Sequence, residues 1–270
     1  MNVIDKFNAR ADAVGSLLCV GLDSDITQIP ASFQSDPTPQ FAFNRWIIDQ
    51  THAFTSAYKL NAAFYEARGE QGWHELRLSI DYLHENCPDM LTICDAKRGD
   101  IGSSNNGYVK AIFDELGFDA ITLHPYLGRE ALQPFLERAD KGAIILCRTS
   151  NPGAGELQDL QVDGKALWQV VAEKVSSDWN TNGNCMLVVG ATYPNEMRQI
   201  REVTGDMTFL VPGIGAQGGD VDAVVEAGLN SAGKGLILTA SRSIIFADNP
   251  GEAAQSARDQ INKAALRLAR

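Results

Sequence analysis

Four charged residues, among them Asp95, Lys97 and Asp100, lie within the segment DAKRGD, residues 95 to 100, directly after the apolar run MLTIC. Because side chains alternate between the two faces of a β-strand, Asp95 and Lys97 are predicted to share one face at the end of that strand. Asp100 follows Gly99, past the strand end. An ion pair of this kind could be purely structural, although burying one often gives no net stability. It could also present a fixed electric field to a substrate that carries or develops negative charge.

The elements that must position these charges form a repeating pattern. Eight short apolar runs each end in polar or glycine-containing residues, and each is followed by an amphipathic stretch of helical length. The runs are LLCVGLD (17–23), AYKLNAAF (57–64), MLTICDAK (90–97), AITLHPY (120–126), AIILCRTS (143–150), CMLVVGAT (185–192), TFLVPGIG (208–215) and GLILTASR (235–242).

Near-continuous apolar strands separated by helices are typical of a parallel sheet that is covered on its outer face. Eight such units predict an α/β fold, specifically a (β/α)₈ TIM barrel, with a doubly wound open sheet as the alternative. Residues 2–14 are predicted to form a leading N-terminal helix, and residues 150–164 the longest loop. With no linker or low-complexity segment in view, residues 1–270 are predicted to form a single domain.

Composition limits the function classes. The chain of 270 residues is 44% hydrophobic, and its formal net charge of −11 disfavours nucleic acid as a partner. No apolar run approaches the ~20 residues that span a bilayer, so no membrane association is expected. The first ten residues lack the basic start and apolar middle of a signal peptide, which predicts a cytoplasmic protein.

The cysteines and histidines show no metal-ligand spacing. Five cysteines are scattered without a Cys-x-x-Cys pair, and Cys19, Cys94 and Cys147 lie within predicted strands. We therefore expect buried, reduced thiols rather than a disulfide or a metal site. The four histidines are also spaced unlike ligands, so no metal site is predicted.

In a barrel of this class, chemistry belongs at the carboxyl ends of the strands. Lys59 ends the strand next to that of Asp95, close enough to join the charged pair. The candidate residues at the eight strand ends are Asp23, Lys59, Asp95 with Lys97, His124, Thr149 with Ser150, Thr192, Gly213 with Gly215, and Ser241 with Arg242.

A second group of candidates lies in VPGIGAQGGDV, residues 211–221. Glycines between a strand end and a helix start let backbone N–H groups approach an oxyanion, and Arg242 at the next strand end adds a planar cation. Plain loop geometry is the alternative reading of the glycines. Since barrels of this class often bind phosphate at this corner, Arg242 favours a phosphate site.

The segment DAKRGDIGSS resembles the Asp-x-Lys-x-x-Asp signature of the orotidine 5′-phosphate decarboxylase family, specifically its bacterial type-2 branch. Further stretches agree in order along nearly the whole chain. They are LCVGLDSD, AYKLNAAFYE, CRTSNPGAGELQ, VGATYP, VPGIGAQGGD and ASRSIIFA.

The resemblance implies a role for each matching position. Asp23 would hold a ribose hydroxyl, Lys59 would bridge the ribose and the charged array, Asp95 would lie against the substrate carboxylate and Lys97 would protonate ring carbon 6. Asp100 would enter the site of the neighbouring subunit, which implies a homodimer with shared active sites. The positions matched to substrate binding are Ser150 at the pyrimidine, Gln217, Gly215 and Arg242 at the 5′-phosphate, and Ser104, where the family usually has Thr.

The implied reaction is loss of carbon dioxide from a nucleotide, without a metal or organic cofactor. Two alternatives stay open. A magnesium-dependent sugar-phosphate decarboxylase or aldolase on the same barrel would use a similar motif, and a non-catalytic sensor of a phosphorylated ligand would tolerate loss of Lys97. Ser241, where the family's other branch often has Gly, leaves a backbone contact to phosphate undecided.

Overall fold

The computed structural model describes residues 2–214 and 219–268. Within these residues, eight parallel strands form a closed barrel, and a separate antiparallel hairpin adds two short strands. The strands are β1 (Leu18–Gly21), β2 (Ala57–Asn61), β3 (Leu91–Arg98), β4 (Ala120–Leu123), β5 (Gly142–Arg148), β6 (Gln161–Val162), β7 (Lys165–Ala166), β8 (Cys185–Val189), β9 (Phe209–Pro212) and β10 (Leu236–Ala240), of which β6 and β7 form the hairpin.

Helices alternate with the barrel strands along the chain. They are α1 (Val3–Val14), α2 (Ala31–Gln34), α3 (Pro39–Thr51), α4 (Ala62–Glu66), α5 (Gly69–Asn86), α6 (Gly102–Val109), α7 (Gly128–Leu136), α8 (Gly155–Gln158), α9 (Leu167–Lys174), α10 (Pro194–Thr204), α11 (Val221–Gly228), α12 (Arg242–Ile245) and α13 (Pro250–Leu268). In α5, buried Leu76, Ile80 and Leu83 have the spacing of a stripe that packs on the sheet. The predicted barrel is therefore confirmed.

The closure of the sheet decides between the two predicted architectures. β1 pairs in parallel with both β2 and β10, so the first and last strands of the barrel are neighbours. Each of the eight predicted apolar runs overlaps one of these strands, and β3 and β5 each extend one residue beyond their run. Most of the strands end before the polar residues that we assigned to them. The doubly wound alternative is wrong.

The leading helix covers the amino end of the barrel. α1 begins after Asn2, whose side chain accepts a hydrogen bond from Ile4 N, and its residues Val3, Phe7 and Ala11 are buried. Lys6 of this helix pairs with Asp119, directly before β4. The predicted helix over residues 2–14 is confirmed.

The segment predicted as the longest loop, residues 150–164, is more ordered than expected. It contains a 3₁₀ turn at Pro152–Ala154, α8, and the start of the β6–β7 hairpin. Asp163 and Gly164 both have positive φ, as in the tight type I′ turns that Asp-Gly sequences favour. This turn signal was present in the sequence and should have predicted the hairpin.

The cysteines behave as predicted, since all five are buried and free. Burial raises the pKa of the Cys147 thiol to about 12, as expected for a packed side chain rather than a nucleophile. Within the described residues, no helix combines the length and the apolar character needed to cross a membrane. The cytoplasmic location stays a prediction.

Candidate active site

A cavity of about 560 Å³ opens at the carboxyl end of the barrel. Every barrel strand, or the residues just after it, contributes to the wall. On one side the wall is charged, from Asp23, Lys59, Asp95 and Lys97. The other side carries apolar side chains, among them Leu146, Val188, Leu210 and Ile214.

The charged side of the cavity is a connected cluster. Lys59 Nζ lies 3.2 Å from Asp23 Oδ1 and 3.2 Å from Asp95 Oδ2. Lys97 Nζ lies 2.6 Å from Asp95 Oδ1. The side chains of Lys59 and Asp95 are 6% and 11% exposed, whereas that of Lys97 is 51% exposed. The cluster thus consists of a buried ion pair, Lys59 with Asp95, and one ammonium group, that of Lys97, which a ligand can reach.

Opposite charges keep the buried pair Lys59 and Asp95 ionised. Burial by itself lowers the pKa of the Lys59 ammonium, but the carboxylates of Asp23 and Asp95 outweigh it and raise that pKa above its usual value. Burial also acts to raise the pKa of the Asp95 carboxyl. The charges of Lys59 and Lys97, with hydrogen bonds from Lys97 and Thr122, hold that pKa well below its usual range. Both groups are therefore charged at neutral pH.

The backbone departs from a regular strand at Lys97. The pairing of β3 with β4 shifts between Cys94 and Arg98, and Lys97 has a φ of 48°, which is rare for a residue with a side chain. Lys97 N donates to Thr122 Oγ1 at 3.0 Å, and Thr122 Oγ1 donates to Asp95 Oδ1 at 2.8 Å. Asp95 and Lys97 do meet, as predicted, but a bulge tied to Thr122 brings them together instead of simple alternation.

Asp23 is held from two sides. Its Oδ1 accepts from Lys59, and its Oδ2 lies 2.7 Å from Ser241 Oγ at the end of β10. A Cβ at Gly21 would come within 2.9 Å of the Ser241 Cβ, so this close approach of the two strands requires glycine. Ser241 thus supports Asp23 through its side chain.

The predicted phosphate corner is described only in part. Gly213 and Arg242 line the cavity, and Arg242 is exposed at the start of α12. Gly215 and Gln217 lie outside the described residues. The glycine N–H groups that we expected to approach an oxyanion belong partly to those residues, so that expectation stays a prediction. The helix that follows, α11, begins at Val221, and the Asp220 carboxylate accepts hydrogen bonds from its first N–H groups.

The segment after β5 forms another edge of the cavity. Thr149 and Ser150 line it, as predicted, together with Asn151 and Gln158. Thr149 N donates to Gln158 Oε1 at 2.9 Å, and Gln158 Nε2 donates to Thr149 Oγ1 at 2.8 Å. The side chain of Gln158 thereby ties α8 back to the strand end.

Among the predicted residues that the structure describes, four do not line this cavity: Asp100, Ser104, His124 and Thr192. Asp100 N is held by Asn105 Oδ1 at 2.9 Å, and its own Oδ1 accepts from Ile101 N. Ser104 is exposed on α6. The ring of His124 packs against Gly99, where an added Cβ would come within 2.8 Å of Nε2.

Sequence reasoning missed Asn61, Thr122, Gln158 and Thr239, all of which line the cavity. Three of them were within reach of the period-two rule. Asn61 is two residues after Lys59, Thr122 two before His124, and Thr239 two before Ser241, so each shares a face with a residue that was named. Nothing in the sequence signalled Gln158, whose position depends on the fold of the loop.

The site suits a ligand with separate anionic and apolar parts. The reachable Lys97 ammonium can stabilise and protonate a developing carbanion, and exposed Arg242 can bind a second anion at another wall. Among residues 2–214 and 219–268, no three His, Cys, Asp or Glu side chains are grouped as a metal site would require.

Comparison with known proteins identifies the family of the chain. Residues 16–257 match the family described as the orotidine 5′-phosphate decarboxylase / HUMPS family. The chain is 46% identical, over 259 residues, to the orotidine 5′-phosphate decarboxylase of Janthinobacterium sp. (strain Marseille), covering 96% of this chain and 94% of that protein. It is 47% identical to that of Herpetosiphon aurantiacus over 256 residues, covering 94% and 93%.

Solved structures give the same result. The fold is similar to that of Leishmania donovani OMP decarboxylase, with a TM-score of 0.88 and 37% identity over 98% of this chain and 99% of that one. It also matches Leishmania donovani UMP synthase, with a TM-score of 0.90 and 40% identity over 98% of this chain and 57% of that one.

Proposed function

We propose, since this chain belongs to the orotidine 5′-phosphate decarboxylase / HUMPS family, that it converts orotidine 5′-phosphate to uridine 5′-phosphate and carbon dioxide. This reaction is the last step of de novo pyrimidine biosynthesis. The observation that carries the proposal is the Lys59–Asp95–Lys97 cluster at the cavity of a chain so similar to named decarboxylases. Those relatives do not favour the magnesium-dependent sugar-phosphate alternative.

In the proposed reaction, the bond between ring carbon 6 and the carboxylate breaks, and its electron pair stays on carbon 6. The Lys97 ammonium stabilises this carbanion and gives it a proton, and the amine then recovers a proton from solvent. Asp95 lies against the departing carboxylate and keeps Lys97 in place. The cluster exists before substrate arrives, so little reorganisation is needed during the reaction.

The rest of the cavity would hold the nucleotide. We assign Asp23 and Lys59 to the ribose, Ser150 to the pyrimidine edge, and Arg242 with Gln217 and the Gly215 backbone to the 5′-phosphate. Arg242 is exposed and makes no ion pair with a described residue, so its charge is available to a phosphate. Binding energy from that phosphate, far from the reacting bond, can help assemble the closed site.

The direct test is loss of orotidine 5′-phosphate absorbance in the presence of EDTA, with uridine 5′-phosphate identified as the product. We expect turnover that the chelator does not change. Turnover that disappears with EDTA and returns only with added magnesium would support the alternative enzyme. Ligand binding without turnover would support a sensor.

We further propose that each chain is a single domain and that two chains form a homodimer with shared sites. Asp100 is outside the cavity of its own chain, and the next residue, Ile101, is 60% exposed. Tyr126, which follows β4, is another large side chain with high exposure, 83%. A second copy that covers this surface would bury them and receive Asp100 and Ser104 at its own cavity. These observations support the proposal.

Subunit mixing tests the shared site. Lys97→Ala and Asp100→Ala homodimers should both be nearly inactive, but about half of the dimers refolded from an equal mixture carry one copy of each. Each mixed dimer has one doubly altered site and one intact site, so activity should return to about one quarter of wild type. If mass spectrometry confirms exchange and no activity returns, Asp100 acts within its own chain.

A further inference from the structure

Arg148, the last residue of β5, is a buried cation that the proposed chemistry does not use. Its side chain is 4% exposed, and the guanidinium carbon lies 3.9 Å from the centre of the Tyr193 ring. Its Nε is buried and makes no hydrogen bond to any described residue. Burying a charge with a donor left unpaired is costly, so stability alone is a poor reason for an arginine here.

The contacts that Arg148 does make are with the segment that edges the cavity. Its Nη1 donates to Gln158 Oε1 at 3.3 Å, and its Nη2 lies 3.3 Å from Asp159 Oδ2. Gln158 lines the cavity, whereas Arg148 does not. Any effect of Arg148 on a ligand must therefore pass through the residues it holds.

Arg148 and Thr149 together determine how the Gln158 amide is oriented. Oε1 accepts from the Arg148 cation and from Thr149 N, so the oxygen must face the strand end. The amide nitrogen carries two hydrogens, and one of them goes to Thr149 Oγ1. The second N–H makes no hydrogen bond to a described residue, so it can donate to a ligand acceptor in the cavity, next to Thr149 and Ser150.

We propose that Arg148, stacked on Tyr193, is a positioning residue for substrate binding, and that it acts by orienting Gln158 at the cavity edge. This inference rests on the proposed function, because its test uses orotidine 5′-phosphate as the substrate. With Arg148 in place, Gln158 presents a donor to a carbonyl oxygen of the bound base and holds residues 149–150 in register with it. Without Arg148, Gln158 Oε1 keeps only the hydrogen bond from Thr149 N, and the ion pair with Asp159 is lost, so the amide and the end of α8 are held less firmly.

The chain offers a matched control in Arg201. Its guanidinium also lies 3.9 Å from a ring centre, that of Phe209, but at the amino end of the barrel. There its Nε and both Nη atoms donate to backbone carbonyls, including Gly228 O and Gly235 O. Arg201→Met should lower the thermal midpoint and leave KM for orotidine 5′-phosphate within about twofold of wild type.

The test measures kcat and KM for Arg148→Met, Gln158→Ala and the double variant. Loss of the hydrogen bond between Gln158 and the base predicts that each single change raises KM by up to about tenfold, with a smaller effect on kcat. Because Arg148 acts through Gln158, the double variant should resemble Gln158→Ala within about twofold. The inference would be overturned if the KM increases of the two single variants multiplied in the double variant, or if folded Arg148→Met had a wild-type KM.

Two further measurements keep the outcomes distinct. If Arg148→Met does not fold, Tyr193→Leu removes only the stacking partner and should raise KM in the same direction, and a wild-type KM there would overturn the proposal. Wild-type protein is assayed in parallel. If it fails to consume orotidine 5′-phosphate, the proposed function is wrong, whereas normal wild-type turnover with unaffected variants rejects only the role of Arg148.

Discussion

Asp95 and Asp119 are two carboxylates at opposite ends of the barrel with nearly the same partners. Asp119, before β4, accepts from Lys6 Nζ at 2.9 Å and from Thr92 Oγ1 at 3.0 Å. Asp95 accepts from Lys97 Nζ at 2.6 Å and from Thr122 Oγ1 at 2.8 Å. Each is thus a lysine–aspartate–threonine group.

The surroundings separate the two groups. Lys6 lies in the regular helix α1 and ties it to the barrel, with a side chain 22% exposed. Lys97 has a strained backbone, and its half-exposed ammonium lines a cavity. Strain of this kind persists only where the surrounding structure enforces it. The two groups have similar partners, so partners alone do not indicate a functional ion pair. Access to a cavity and a strained backbone do.

The largest difference is expected from removing the two lysines. Lys97→Ala should lower kcat by at least about 10³-fold, because it removes both the proton donor and the cation that stabilises the carbanion. Lys6→Ala removes an ion pair that only fastens α1, so kcat should stay within about twofold. Steady-state turnover of orotidine 5′-phosphate measures both effects. A similar loss of kcat in both variants would mean that the Asp95 and Asp119 groups do not differ in function.

Arg242→Ala tests a cation at the carboxyl end that lies away from the charged cluster. Loss of a charge-assisted hydrogen bond to phosphate should cost about 1.5 to 3 kcal/mol, or about 10- to 150-fold in kcat/KM, and more if that energy also drives closure. The nucleoside without its phosphate should react almost equally well with both proteins. Equal losses with the two substrates would make Arg242 a structural residue.

The matched threonines should give a smaller effect. Thr92→Val and Thr122→Val each remove a buried hydroxyl that donates to a carboxylate, so each should lower the free energy of unfolding by about 1 to 3 kcal/mol. Only Thr122→Val should also lower kcat, by about tenfold, since Thr122 joins the backbone of Lys97 to Asp95. Urea unfolding and turnover measure the two effects, and an unchanged kcat in Thr122→Val would show that the bulge is held by other contacts.

The barrel could be predicted from the sequence, because the length and spacing of apolar segments indicate strands and helices locally. Eight apolar runs with intervening helices specified the strands, and the strand-end rule brought Asp23, Lys59, Asp95 and Lys97 to one cavity. The bulge at Lys97 could not be predicted, because it depends on a contact with Thr122 across the sheet. The same is true of Gln158 and Arg148, which meet only after the chain from 149 to 158 has folded back.

The capping of α11 shows a different limit. The glycines of VPGIGAQGGD predicted that backbone N–H groups between a strand end and a helix start approach an oxyanion. At that helix start, the Asp220 side chain accepts hydrogen bonds from Asp222 N and Ala223 N. Aspartate is a preferred N-cap residue, and Asp220 itself was visible in the sequence. What was not visible was the residue at which the helix begins.

The smallest expected effect is the pH dependence of stability at the charged cluster. The folded-state pKa of Asp95 lies below its unfolded value of ~3.9, so the ionised carboxylate stabilises the fold. This contribution is complete above about pH 5 and is lost as the pH falls toward the folded-state pKa. The difference in unfolding free energy between wild type and Asp95→Asn should therefore shrink by about 1 kcal/mol between pH 6 and pH 3. Urea unfolding at both pH values measures it, with the buried, uncharged change Ile80→Val as a control whose cost should not vary with pH. If the difference in unfolding free energy between wild type and Asp95→Asn stays constant, or grows in acid, the lysines do not hold Asp95 ionised in the folded protein.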